Sequence, residues 1–306
     1  MAATATAGRA IRKAKAQETI TAYLFVAPWI IGFLLFIGGP IIVSFVLSFF
    51  RWKVINTPRF IGFDHYAAMF TTDDLFLHSL GVTFRFVLYS VLLGNVIALS
   101  LALLLNQRIR GIGVWRTIFY LPAVVSGVAG SVLWAWMYSG ELGIFNNLLI
   151  AVGLEPQAWL WNEQLVLGSL VAKSLWNIGV PMVIYMAALQ GLPQDLYEAA
   201  DLDNAGEWTK FLSVTLPLIS PVIFFNLVMG IISQIQTFAE PYVMTKGGPA
   251  NATLFLGLHL YENAFHFLKM GYASAMAWIM FLIIFVLTMG QFGLARRWVY
   301  YEGQSS

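Results

Sequence analysis

Long apolar runs, cut by short polar stretches, set the first picture of this chain. A helix needs roughly 20 mostly apolar residues to cross a bilayer. The gaps between charged residues mark six such runs, at about 22–50, 86–107, 117–140, 165–190, 211–239 and 270–295. The pattern predicts an all-α, polytopic membrane protein: one domain over 20–298, a basic tail over 1–19 that is mobile or rests on anionic headgroups, and a short tail over 299–306. The first run is too long for a cleaved leader, and Phe49–Phe50 is not a small-residue cleavage site. Pro28, Pro40, Pro122, Pro181, Pro217 and Pro221 fall inside or at the ends of the runs. Membrane helices tolerate such breaks where neighbours satisfy the freed backbone groups, so kinked helices around a pathway are expected.

Short-loop Lys and Arg orient the spans. With the N-terminus inside, ten fall on the cytoplasmic side: Arg9, Arg12, Lys13, Lys15, Arg108, Arg110, Arg116, Lys210, Arg296 and Arg297. Five fall outside: Arg51, Lys53, Arg59, Lys246 and Lys269. The spans then leave both termini in the cytoplasm.

Composition agrees with lipid as the solvent. Charged residues make up 10% and hydrophobic ones 59%, against about 25% and 45–50% in soluble domains. The net charge of +2 is too small to suggest a nucleic-acid partner, and the absence of cysteine excludes disulfides and thiolate metal sites.

The segment between the fourth and fifth runs, 191–217, is unusual for a cytoplasmic loop. It sets Asp195, Glu198, Asp201, Asp203 and Glu207 against one base, Lys210. Acidic residues near a helix start suit the dipole; Ala199 and Ala200 allow close approach, and Asp203–Asn204 reads as a turn. Physics alone leaves two readings open: a partner-docking surface or a plain helix–turn–helix connector.

The spacing Glu198-Ala199-Ala200, three residues, Asn204, nine residues, Val214, one residue, Leu216-Pro217 resembles the EAA loop of ABC importer permeases. Asn204 stands where Gly is usual and Val214 where Ile is usual; Asn is the next choice where positive φ is needed. Further matches run along the chain: Phe60–Tyr66, Arg116-Thr117 with Leu121-Pro122, and Thr245–Pro249 with Thr253, Tyr261 and Ala264-Phe265. The ordered set is similar to the first permease subunit of maltose-, lactose- and glycerol-phosphate-type importers. That resemblance implies a type I importer fold and a second permease subunit. It also implies two cytoplasmic ATPases that use ATP and Mg, an extracytoplasmic sugar-binding protein and a bacterial inner-membrane location. It makes Glu198, Ala199, Ala200, Asp203, Asn204, Leu216 and Pro217 the ATPase-coupling positions. The chain has no G-x-x-x-x-G-K-[ST] loop, so ATP binding belongs to another chain and no cofactor is expected in this one.

Polar groups at membrane depth are candidates for the pathway. On a continuous helix, Gly230, Ser233, Thr237 and Glu240 fall within about 40° of Asn226, with Gln234 and Gln236 at about 80° to either side. Amides and hydroxyls suit a sugar, and interhelical packing is the alternative; for Asn226 packing is favoured. In the fourth run, Lys173, Trp176, Asn177 and Val180 share a helical face, with Trp176 and Asn177 as substrate candidates and Lys173 placed to snorkel. Trp134 and Trp136 read as interfacial anchors. His259, Glu262 and His266 share a face; an amphipathic helix outside the membrane explains them better than a metal. No nucleophile elbow, H-E-x-x-H or paired intramembrane carboxylates point to an enzyme. An ion-coupled secondary transporter is the alternative transport class, but Arg85, Lys173 and Glu240 fall near outer span ends and not at the midplane.

Overall fold

The computed structural model describes residues 2–107 and 110–300, so Arg108 and the last residues of the C-terminal tail lie outside it. Helix α1 (Ala2–Phe33) runs through a π-helical turn (Leu34–Gly38) into α2 (Gly39–Leu47). The N-terminal segment is helical from Ala2 and runs without a break into the first spanning-length stretch, which begins at Gln17. A two-stranded antiparallel hairpin, β1 (Phe50–Arg51) and β2 (Arg59–Phe60), follows.

After the short α3 (Asp64–Thr71) comes α4 (Asp74–Leu105), the longest packed helix. Asp73 caps it, its Oδ1 accepting from the Phe76 N–H at 3.1 Å. The second span was expected to start at Phe86 because Arg85 precedes it. The helix instead begins at Asp74 and simply turns Arg85 to its exposed side, where Nε bonds the Gly81 carbonyl. A charge can sit inside a span's helix when it faces away from the packed core.

The third span is not one helix. α5 (Ile112–Tyr120) tightens into a 3₁₀ turn (Leu121–Val124), and α6 (Gly127–Met137) departs at 102°. Pro122 cannot donate to the ladder, and Val125 and Ser126 are extended. After α7 (Ile144–Ala151), the fourth span is also broken: α8 (Val166–Leu175) and α9 (Gly179–Gln190) meet at 45°. Gly179 lets the two breaks cross. A Cβ there would lie 2.9 Å from the Phe119 carbonyl oxygen and the Tyr120 Cα.

The connector holds α10 (Gln194–Leu202), α11 (Glu207–Lys210), a π turn (Phe211–Thr215) and α12 (Leu216–Leu218). α13 (Ser220–Ile235) then crosses, and the chain is non-helical at Gln236–Phe238 before α14 (Ala239–Met244). α15 (Leu256–Tyr261) leads through a π turn (Glu262–His266) to the last span, α16 (Met270–Ala295). The architecture is mostly helical, with four helical stretches long and apolar enough to cross a membrane and two bent pairs that would bring the number to six if each is one span.

α4 is the hub, packing on α8, α9, α13 and α15. One cluster (Ala98, Ala102, Met182, Tyr185, Ile219) fills the end near the connector; another (Phe86, Leu170, Val171, Met244, Phe255) fills the opposite end. The first span stands apart. None of its most apolar stretch is covered; only α2 meets α16, with Trp278 edge-on to Phe45 and bonded to Ser44.

Candidate functional site

Two regions stand out, at opposite ends of the bundle. The first is the connector. No residue of α10 is buried, yet the helix is held firmly. The Asp203–Asn204 turn closes it: Asn204 adopts φ 54°, its N–H bonds the Asp201 carbonyl and the Ala205 N–H bonds that of Ala200. This is a Schellman closure, with Asn serving where Gly is usual. Tyr197 and Thr215 exchange a 2.7 Å hydroxyl bond that ties α10 to the base of the fifth span.

Lys210 pairs with Asp201 and Glu207; hydrogen bonds to those carboxylates hold its ammonium pKa above the ordinary lysine value. Asp195, Glu198 and Asp203 have no ion-pair partner among the described residues. Ala199 is exposed and Ala200 half-exposed on the same helix, and Leu216 and Pro217 sit half-buried at its foot. Leu202 is 85% exposed and Trp208 71%. Two large apolar side chains thus lie bare in an acidic connector. Charge and the alanines drew attention in the sequence, and these two residues went unnoticed. Their signal was an apolar residue at each flank of the turn.

The second region lies where the fourth and fifth spans break. The expected continuous stripe on the fifth span ends at Ile235, so Thr237 and Glu240 are not on one helix with Asn226. The lower part faces the core: Asn226 is buried, and Gly230 lies against Val91 of α4. Ser233 and Gln236 are exposed, Gln234 is half-buried, and Thr237 donates to Gln234 Oε1 at 3.1 Å. The helix also ends before Trp176 and Asn177, so they do not share a helical face with Val180. Trp176 instead leans on Gly130 and on Trp134 of α6, at 6.0 Å between rings. Trp134 belongs to an aromatic cluster with Tyr138 and Phe145, where an interfacial anchor was expected; Trp136 is exposed.

Lys173 does not snorkel. It is fully buried and forms an ion pair with Glu240, Nζ donating to Oε1. An unpaired ammonium would be costly at that depth, so the partner decides its placement. Beside the break, Phe238 stacks on Tyr242 at 5.1 Å and meets Tyr261 at 4.7 Å, with Phe265 continuing the row. These aromatics lie on three segments, which is why no local pattern announced them.

The expected face of His259, Glu262 and His266 is also divided. His259 is buried and faces Asp73 at 3.5 Å, whereas His266 is exposed. Among the described residues no group of side chains suits a metal ion. Burial alone would raise the Asp73 carboxyl, but hydrogen bonds from Tyr272 and the Phe76 N–H, with His259 beside it, hold it below the usual carboxylate range. These groups border a cavity of about 550 Å³ with Arg51, Lys53 and Lys269 on its rim.

Residues 94–300 match the family model of the binding-protein-dependent transport system inner membrane component. The chain belongs to this family. It is similar to a probable ABC transporter permease protein, YesP, of Bacillus subtilis, 39% identical over 97% of this chain and 96% of that one. The lactose transport system permease protein LacF of Rhizobium radiobacter is 35% identical, covering 92% and 96%. A chain of the bacterial alginate ABC transporter, solved with an alginate pentasaccharide-bound periplasmic protein, shares the fold at a TM-score of 0.82 and 24% identity, covering 92% and 96%. The protein is thus a multi-pass permease subunit of an ABC importer with the type I importer fold, a transport subunit and not an enzyme.

Proposed function

We propose that this subunit forms part of the path by which a carbohydrate crosses a bacterial inner membrane, with both termini in the cytoplasm. It pairs with a second, different permease chain, receives its solute from an extracytoplasmic sugar-binding protein, and works with two ATPase subunits. ATP and Mg act on those partners, not on this chain. The observation that carries the coupling half of this reading is α10: a helix closed by its own C-terminal turn, pinned by Tyr197, and with no residue buried by the described part of the chain. Seated in a groove of the ATPase, Glu198, Ala199, Ala200, Asp203 and Asn204 move with the nucleotide domains, and Leu216-Pro217 passes the movement to the fifth span.

The carbohydrate half draws on the second region. Ser233, Gln234, Gln236 and Thr237 offer neutral donors and acceptors, and Trp176 and Asn177 stand at the neighbouring break. Phe238 and Tyr242 add aromatic faces of the kind sugar rings stack on. The relative named as a lactose permease points the same way.

The test is uptake of a mixture of mono-, di- and oligosaccharides by cells carrying the whole importer. Gln234→Ala and Gln236→Ala are each expected to reduce uptake strongly while leaving the amount of assembled complex unchanged. Wild-type uptake in both variants would return this face to helix packing, and no uptake by the wild type would remove the carbohydrate reading. Orientation has its own check, because the chain has no native cysteine. A single cysteine at the exposed Asn147 should react with an impermeant thiol reagent in intact cells, and one at Asp195 only after lysis.

A further inference from the structure

Lys173 occupies an expensive position. It lies in the last turn of α8, just before the break at Trp176–Ile178, and its side chain is 0% exposed. Glu240 lies in the first turn of α14, just after the break at Gln236–Phe238. The pair is separated by 67 residues in sequence and ties the fourth span's break to the fifth's. A buried ion pair is weak evidence for stability, since well-packed apolar residues of similar volume often do as well or better. The same helix shows that apolar packing is available here: Leu170 and Val171 enter a buried apolar cluster with Met244 of α14. Charge at these two positions therefore needs a reason other than holding α8 to α14.

The asymmetry of the pair supplies one. Lys173 is sealed, whereas 19% of the Glu240 side chain reaches open space. Oε1 takes the ammonium, and among the described residues no other hydrogen bond reaches the carboxylate. Oε2 is left with its lone pairs, in the segment that carries Gln236, Thr237, Phe238 and Tyr242. A carboxylate is an acceptor only, and one already paired with an ammonium takes neutral donors such as the hydroxyls of a carbohydrate.

We propose that Lys173 is a positioning residue for transport: its buried ammonium clamps the Glu240 carboxylate so that Oε2 is a fixed acceptor for solute hydroxyls at the break in the fifth span. The proposal rests on the reading of these breaks as the pathway and names one of its polar contacts.

The test uses the complete importer with its binding protein in proteoliposomes, scoring solute carried per ATP hydrolysed. The probe is the sugar that the wild type takes up fastest from a mixture of mono-, di- and oligosaccharides. Lys173→Met and Glu240→Gln are expected to keep ATP hydrolysis stimulated by the loaded binding protein and to lower solute per ATP about tenfold or more, the scale of losing a hydrogen bond to a charged group. The exchange K173E/E240K keeps an ion pair but turns an ammonium, a donor only, toward the pathway. It should assemble and remain uncoupled. An exchange variant with wild-type solute per ATP would show a structural staple and overturn the proposal, as would full coupling in Lys173→Met. If the single variants fail to assemble, the exchange variant decides by the same criterion. Failure of the pathway reading looks different: there the Gln234 and Gln236 variants transport normally.

Discussion

Leu202 offers the sharpest test of the coupling surface. The residue is 85% exposed at the end of α10, so most of its apolar surface is available to a partner. Full burial of a leucine is worth about 1.5–3 kcal/mol. Truncation to alanine removes most of that, about 2 kcal/mol at roughly 0.8 kcal/mol per methylene-sized group. At 1.4 kcal/mol per factor of ten, Leu202→Ala should weaken binding of the ATPase by about thirtyfold. The helix itself should survive, because alanine is the better helix former and Leu202 contributes to no core cluster. The assay is titration of purified ATPase onto the permease pair in nanodiscs, reading the dissociation constant. Trp208→Ala, 71% exposed across the turn, should also weaken binding, and Glu198→Ala should lower stimulation of ATP hydrolysis. Dissociation constants within about twofold of wild type for both Leu202→Ala and Trp208→Ala would refute the docking of this surface.

Three further outcomes follow from local geometry. Asn204→Gly should leave coupling intact, whereas Asn204→Val should cost about 1–2 kcal/mol at the left-handed turn and reduce substrate-stimulated ATP hydrolysis. Gly179→Ala forces a methyl group toward the third-span backbone, at 2.9 Å from the Phe119 carbonyl oxygen; a loss of about 1–3 kcal/mol, as in an overpacked core, should appear as a lower melting temperature of the detergent-solubilised complex. His65 is half-buried, and burial pushes its imidazole below the ordinary histidine value of 6.5, only partly offset by the Phe50 carbonyl. Between the folded value and 6.5 the unfolded chain binds more protons, so stability should fall as pH drops through that window. His65→Gln should flatten that slope in a pH series of melting temperatures.

The sequence by itself determined that the chain lives in lipid, because too little charge remains to cover a soluble surface. It determined that one acidic, alanine-bearing connector has importer-permease spacing, and that Asn204 suits a positive φ, which the backbone adopts. These are local or compositional properties. Span limits were less legible: a charge suggests an end, but Arg85 only needed an outward face on α4. The breaks in the third, fourth and fifth spans were decided by tertiary structure. A proline or glycine permits an interruption, but the neighbouring helices that meet the freed backbone groups set its place and angle.

The same holds for the pathway region. Lipid is as apolar as leucine, so an apolar run does not reveal which side of a helix meets protein. Only the packed bundle buries Asn226 while Ser233 and Gln236 stay open. Only it brings Phe238, Tyr242, Tyr261 and Phe265 into one row from three segments. Lys173 and Glu240 show the limit most clearly. Taken singly, each is a charge near a span end with an easy route to water. Brought together by the fold, each removes the other's need for that route, and a lysine that sequence reasoning sent to the surface is sealed inside.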